Sequence, residues 1–287
     1  MNVVQGTDVS VMQNTVPFDK LKAAGHEFTF IRCKVGNNPG IDTRFVENVR
    51  RARDAGLYVA PYFFPFPLAH INPMAQVAGF LDAAMVDGDA VGGNRGDLPP
   101  AYDLEWPAPE NWAERGCTAD QIVDYACAQL ARIHDDYGIA PIIYSYPYFI
   151  ASLSKAKNFA HLMKYNLWLA GGPQYKNGNG QVPRRADDGT WLDNAPKVPG
   201  WNDTWLFWQH DGDGGKRLPT GVDCDFNVFR FDSTALGQLA QTIDGAPPIL
   251  VPDLNTIHAM AADVMADDAL HGYRQERIAA IFADLPA

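Results

Sequence analysis

Basic residues are scarce in this chain: 23 Lys and Arg stand against 34 Asp and Glu, for a net charge of -11. Phosphate backbones are held by clustered cations, so nucleic acid is excluded as the main partner. An uncharged polymer such as a polysaccharide is not. Long apolar runs are missing as well. Nothing approaches the ~18 apolar residues of a bilayer span, so no stable membrane insertion is expected. The opening MNVVQGTDVS has neither a basic segment nor an apolar core of the kind that marks a secretory signal. That reads as synthesis in the cytoplasm, with any action outside the membrane depending on release by another agent. Cys33, Cys117, Cys127 and Cys224 form no C-x-x-C and no zinc spacing, and are expected to be reduced, partly buried thiols. No H-x-H, H-E-x-x-H, Walker loop or strand-linked G-x-G-x-x-G occurs, and no serine triad is suggested. DGDGG at 211–215 begins like a calcium loop, but Val222 stands where the closing acid should fall, so it reads as a turn. No metal or cofactor is expected.

What remains is an alternation of short apolar runs and helical patterns. Strands are expected at 2–10, 27–36, 57–66, YDLEW (102–106), 140–146, 166–172, 204–210 and 221–229. Helices are expected at 43–56, stopped by Gly56, and at 72–85, with Pro73 at its first position. A third, at 118–136, carries a Thr118–Gln121 capping box and an apolar stripe through Ile122, Val123, Ala126, Leu130 and Ile133. Pro61 implies a bend or bulge in the third strand. Strand–helix alternation predicts parallel strands and an α/β, TIM-like barrel. After the fifth strand the helical patterns stop: 173–203 is rich in Gly, Pro and Asn, and DGDGGKRLPT joins the last two strands. The expected barrel is therefore irregular, with five βα units followed by three further strands, over residues 1–243. A Pro-containing linker (244–253) then leads to a short helical segment (254–287), too small to fold alone.

YDLEW poses a physical problem. Period-two alternation puts Asp103 and Glu105 on one face, with Tyr102, Leu104 and Trp106 on the other. Two carboxylates within about 7 Å repel, and burial raises at least one pKa. Folding gains nothing from this, whereas acid catalysis of an acetal can use it. Catalytic groups in such barrels sit at the C-terminal ends of strands. The acids sorted to strand ends are Asp8, Asp103 and Glu105, with Asp223 and Asp225 on the last strand beside Asn227. The first and eighth strands are neighbours if the barrel closes, so these acids converge on one mouth. Lys34 is the one cation read as placed to help. Tyr62, Tyr144 and Trp168 share the strand ends and suit the stacking of sugar rings. Trp106 and Trp208 read as core.

The ordered set GTDVSVMQ, YDLEW, LWLA, WQH and VDCDFNVF resembles family 25 glycoside hydrolases, the Chalaropsis-type muramidases common among phage endolysins. The resemblance covers about residues 3–232. It implies a modified barrel of five βα units and three strands, and cleavage of the β-1,4 bond between N-acetylmuramic acid and N-acetylglucosamine in peptidoglycan. It places catalytic acids at Asp8, Asp103, Glu105 and one last-strand acid. Asp225 is preferred because Asn227 and Phe229 then complete a D-x-N-x-F ending; Asp223 is left to substrate binding with Tyr62, Tyr144, Trp168 and Lys34. Glu105 is the expected general acid and Asp103 the group that orients an acetamido nitrogen, with Asp8 and Asp225 holding charge balance. Such an enzyme reaches the bacterial wall after the host membrane is permeabilised, or as part of a virion. The long 173–203 insertion is expected to reshape one side of the groove. The alternatives are a non-catalytic wall-binding or virion module on the same barrel and, more weakly, a metal-dependent hydrolase. Four acids kept together favour the enzyme.

Overall fold

The computed structural model describes residues 3–38, 40–68, 70–85, 96–172, 182–187, 190–201, 204–212 and 224–241. Eight strands close into a barrel in sequence order: β1 (Val4–Val9), β2 (His26–Val35), β3 (Tyr58–Phe64), β4 (Ala101–Asp103), β5 (Ile142–Ser145), β6 (Asn166–Ala170), β7 (Trp205–Asp211) and β8 (Asp225–Phe229). Helices α1 (Phe18–Ala23), α2 (Phe45–Asp54), α3 (Pro73–Ala84), α4 (Ala119–Tyr137), the short α5 (Pro147–Leu153) and α6 (Phe159–Leu162), and α7 (Ser233–Gln241) complete the described structure.

The helix signals work as read. Thr118 and Gln121 close the capping box of α4, and Gly138 ends it in the left-handed conformation at φ 67°. Asn72 caps α3 ahead of Pro73. Helix α7 was not expected. The linker and the helical segment after it lie outside the described residues.

Three strand expectations are corrected. The strands are not all parallel. β1 to β7 are, but β8 runs antiparallel to both β7 and β1. No crossover helix is then needed between β7 and β8. β4 is also shorter than YDLEW: it ends at Asp103, although the Leu104 amide still donates to the Tyr144 carbonyl at 2.9 Å. Glu105 therefore stands on the loop beyond the strand. Pro61 itself sits in regular pairing with Ile31, and the irregularity lies on the partner, between Arg32 and Lys34 of β2.

The barrel interior is layered. Phe28, Phe207 and Phe229 pack edge-on and tilted at the lower end, with ring centroids 5.0 Å apart in the Phe28–Phe207 and Phe207–Phe229 pairs. Gly6 makes room for this layer, because a Cβ there would meet the Phe28 ring at 2.4 Å. Above it Phe30 stacks on Trp168 at 4.0 Å. Polar side chains fill only the upper end. Outside, Phe63 stacks on Phe80 of α3, and Tyr102 donates from its hydroxyl to Gln129 of α4 at 2.7 Å. Among the described residues no such helix is seen to cover the outer faces of β7 and β8. There Trp191, from the 190–201 segment, packs against Trp205 and Trp208, and the Arg184–Asp193 ion pair (2.9 Å) ties that segment together. The described part of the insertion thus covers the barrel wall, where a helix would otherwise stand. The four cysteines are thiols, not disulfides, and Cys33, Cys117 and Cys224 are buried.

Candidate active site

The reversed β8 decides how the acids meet. Asp225 is the first residue of β8, yet it pairs with Asp8, next to the end of β1. Asp8 and Asp103 are both buried, at 7% exposure each, so neither charge is dissolved in bulk water. Side-chain amides hold the first of them. Gln209 donates from Nε2 to Asp8 Oδ2 at 2.9 Å and to Asp225 Oδ2 at 3.3 Å. Asn227 donates from Nδ2 to the same Asp8 oxygen at 2.7 Å.

The orientation of both amides follows from their other partners. The Trp168 indole can only donate, and it does so to Asn227 Oδ1 at 2.7 Å, which turns the Asn227 nitrogen toward Asp8. The Tyr144 hydroxyl donates to Gln209 Oε1 at 2.9 Å and turns its nitrogen toward the acids. Tyr144 and Trp168 do come to the mouth, with Tyr62 edge-on to Trp168 at 6.2 Å. All three are buried, so they form the floor of the site and orient its amides.

Asp103 Oδ1 is buried with no hydrogen-bond partner. Burial first, then the charges of Glu105 and Asp8, push its carboxyl well above the ordinary carboxylate range, against the pull of Arg32. Asp103 is thus a raised acid of the pair, in line with the expectation that burial and repulsion lift at least one carboxyl. Glu105 is partly exposed and also acts on Tyr146, from the loop after β5. Burial raises the Tyr62 hydroxyl as well, and Asp8, Asp103 and Asp225 add to that while Arg32 opposes it.

Among the described residues Arg32 is the cation that acts on Asp103 and Tyr62, where sequence reasoning chose Lys34. Arg32 pairs in register with inward-facing Tyr62, and its Nε is held by Asp42 at 2.9 Å. Beyond the bulge Lys34 pairs with outward-facing Phe63. Its buried ammonium donates to the Asn38 carbonyl at 2.6 Å and to that of Gly40 at 3.3 Å. Its stem crosses Gly79, in the interior of α3, where a Cβ would lie 2.7 Å from Lys34 Cε. A helix-interior glycine costs about 0.5–1 kcal/mol relative to alanine. Asp223 and most of the DGDGG turn lie outside the described residues. Of the two tryptophans read as core, Trp208 is buried and donates to the Gly171 carbonyl. Trp106 is only partly buried on the mouth loop, 4.6 Å from the Phe66 ring and with the Arg115 guanidinium 4.7 Å above its own. Among the described residues no group of three or more His, Cys, Asp or Glu is placed to hold a metal ion.

The model of glycosyl hydrolases family 25 matches residues 7–217. The chain belongs to this family. The match takes in Asp8, Asp103 and Glu105, while Asp225 lies beyond it and is brought in by the β1–β8 register. Lysozyme M1 of Streptomyces globisporus is 27% identical over 241 residues, which are 83% of this chain and 70% of that protein. The crystal structure of the lysozyme from Streptomyces coelicolor superposes with TM-score 0.62 at 23% identity, covering 85% of this chain and 99% of that one. The catalytic domain of endolysin ply40, from a bacteriophage of Listeria monocytogenes, superposes with TM-score 0.57 at 17% identity, covering 85% and 98%. At these identities the two structures establish the shared barrel. Membership of family 25 makes the chain a glycoside hydrolase.

Proposed function

We propose that this family 25 hydrolase is an N-acetylmuramidase that cleaves the β-1,4 bond between N-acetylmuramic acid and N-acetylglucosamine, with Asp8, Asp103, Glu105 and Asp225 as its working carboxyls. The observation that carries the reading is their convergence on one barrel mouth, with Asp103 kept protonated by burial and by its neighbours. The printed name of the Streptomyces globisporus relative, a lysozyme, supports the same substrate.

Asp103 and Glu105 act as one titrating pair that holds a proton at working pH. Burial raises the Asp103 carboxyl, and in this reading Asp103 keeps the pair's proton in the free protein. A substrate acetamido N–H placed on Asp103 favours its carboxylate form, which transfers the proton to Glu105. Glu105, partly exposed at the rim, then protonates the departing glycosidic oxygen as general acid. Asp103 is left as the carboxylate that orients the acetamido group. Asp8 and Asp225, held by Gln209 and Asn227, supply negative charge to the developing oxocarbenium ion. Trp106 and Phe66, at the rim, offer apolar faces to sugar rings. The place of action is the bacterial wall, reached after membrane permeabilisation or from a virion. Among the described residues no helix is long and apolar enough to cross a membrane.

The test is digestion of purified peptidoglycan, with products reduced by borohydride and read by mass spectrometry. Reduced muramic acid ends that vanish in Glu105→Gln are the expected result. Reduced glucosamine ends, or unchanged products in that variant, overturn the assignment. Wall binding without products turns the reading to a non-catalytic module.

A further inference from the structure

Among the described residues, Lys34 is a buried ammonium without an acid beside it. Among the described residues no carboxylate lies within 4.0 Å of its nitrogen, and two carbonyls account for two of its three N–H donors. Buried charges are ordinarily paired. The chain also keeps a glycine inside α3 so that the lysine stem can pass. Tying the loop to the Asn38 and Gly40 carbonyls does not explain the charge, since a neutral donor serves two carbonyls.

Beside Lys34 lies a cavity of about 530 Å³, distinct from the acidic mouth. Lys34, Asn37, His70, Asn72 and Gln76 contribute to its lining, and among the described residues no carboxylate does. It lies between the loops that follow β2 and β3, at the same end of the barrel as the catalytic acids. The protein carries a net charge of -11, which repels an acidic polymer unless cations are placed where its charges fall. Arg32 and Lys34, both at the end of β2, are such cations.

We propose that the cavity beside Lys34 is a carboxylate-binding subsite, which takes an acidic group of the peptide stem carried by the glycan. Lys34 supplies the charge and a donor, and the polar lining supplies further hydrogen bonds. The proposal rests on the muramidase reading for the identity of the ligand.

Muramyl dipeptide, which bears one free carboxylate, is titrated into Glu105→Gln protein, and the amide signals of Asn37 and His70 are followed by NMR. Saturable shifts, weakened about tenfold by adding Asn37→Asp, are expected. Asn37 is exposed, so that change leaves the Lys34 contacts in place. Absent shifts, or shifts indifferent to both Asn37→Asp and Lys34→Met, overturn the subsite. Turnover separates this from failure of the muramidase reading. On soluble glycan oligomers with and without stems, the native chain should show a lower KM for the stem-bearing form, and Asn37→Asp should remove that preference while leaving kcat on stripped oligomers unchanged. Equal KM values in the native chain also overturn the subsite. If the native chain cleaves neither oligomer, the muramidase reading falls, and the titration still decides whether the cavity binds a carboxylate.

Discussion

Asp8 and Asp225 face each other across the antiparallel seam of β1 and β8, and one amide nitrogen, Gln209 Nε2, donates to an oxygen of each at 2.9 and 3.3 Å. Two acids that share a donor tolerate each other because the amide dipole offsets part of their repulsion. Gln209→Leu removes it from both. The expected outcome is a fall in kcat of about 10²-fold on soluble glycan oligomers with the fold retained. Losing a donor to the charged form raises a carboxyl pKa, so the acid limb of the pH–rate profile should move to higher pH.

Burial raises the Asp103 carboxyl above its unfolded pKa, so between the two values folding takes up a proton that the unfolded chain releases. Stability is greatest below that unfolded pKa and declines as the pH rises toward the elevated folded one. Asp103→Asn removes the penalty. Its melting temperature at pH 7 should exceed that of the native chain by about 3–5 °C, with the gap closing below pH ~4, while activity is lost. Calorimetry at the two pH values checks the sign.

His210 gives the opposite slope. It is buried on β7, and desolvation depresses its pKa from 6.5 to about 4, with Asp211 opposing and His26 reinforcing the shift. The folded chain keeps the ring neutral while the unfolded chain takes up a proton below pH 6.5, so stability is lost as the pH falls from 6.5 toward 4. The loss is at most about 3 kcal/mol. His210→Gln should flatten urea midpoints across that window.

Tyr102 lies behind the catalytic strand, where its hydroxyl meets Gln129 at 2.7 Å and Gln129 in turn donates to the Pro73 carbonyl at 2.8 Å. Tyr102→Phe leaves the buried Gln129 oxygen without that donor. The expected cost is about 1–3 kcal/mol by urea denaturation, with kcat unchanged because the hydroxyl points away from the mouth.

Much of this was legible from chain chemistry. Strand–helix alternation gave the barrel and the capping box gave α4, while sorting acids to strand ends grouped Asp8, Asp103 and Glu105 with both Asp223 and Asp225, between which only the family resemblance chose. What escaped reading depended on register. Phe28, Phe30 and Arg32 alternate onto one face, which was visible. The bulge that turns Lys34 outward was not, because one extra residue in a strand leaves no mark in composition. Gln209 sat unremarked in WQH, since an amide gains its meaning only from the acids it meets. The direction of β8 was hidden too: parallel and antiparallel strands share the same alternation when both faces are buried.

That reversed strand has a practical consequence. The β7–β8 connection starts and finishes at the end of the barrel that carries the acid cluster, whereas a loop in a parallel unit must hand the chain on to a crossover along the barrel wall. The connection between Asp211 and Asp225 can therefore be lengthened, shortened or exchanged without rerouting the chain along the barrel wall. For protein engineering, this makes the connection a cassette: grafting loops of different length there should retune which glycans enter, while Asp225 stays pinned by β1 on one side and β7 on the other.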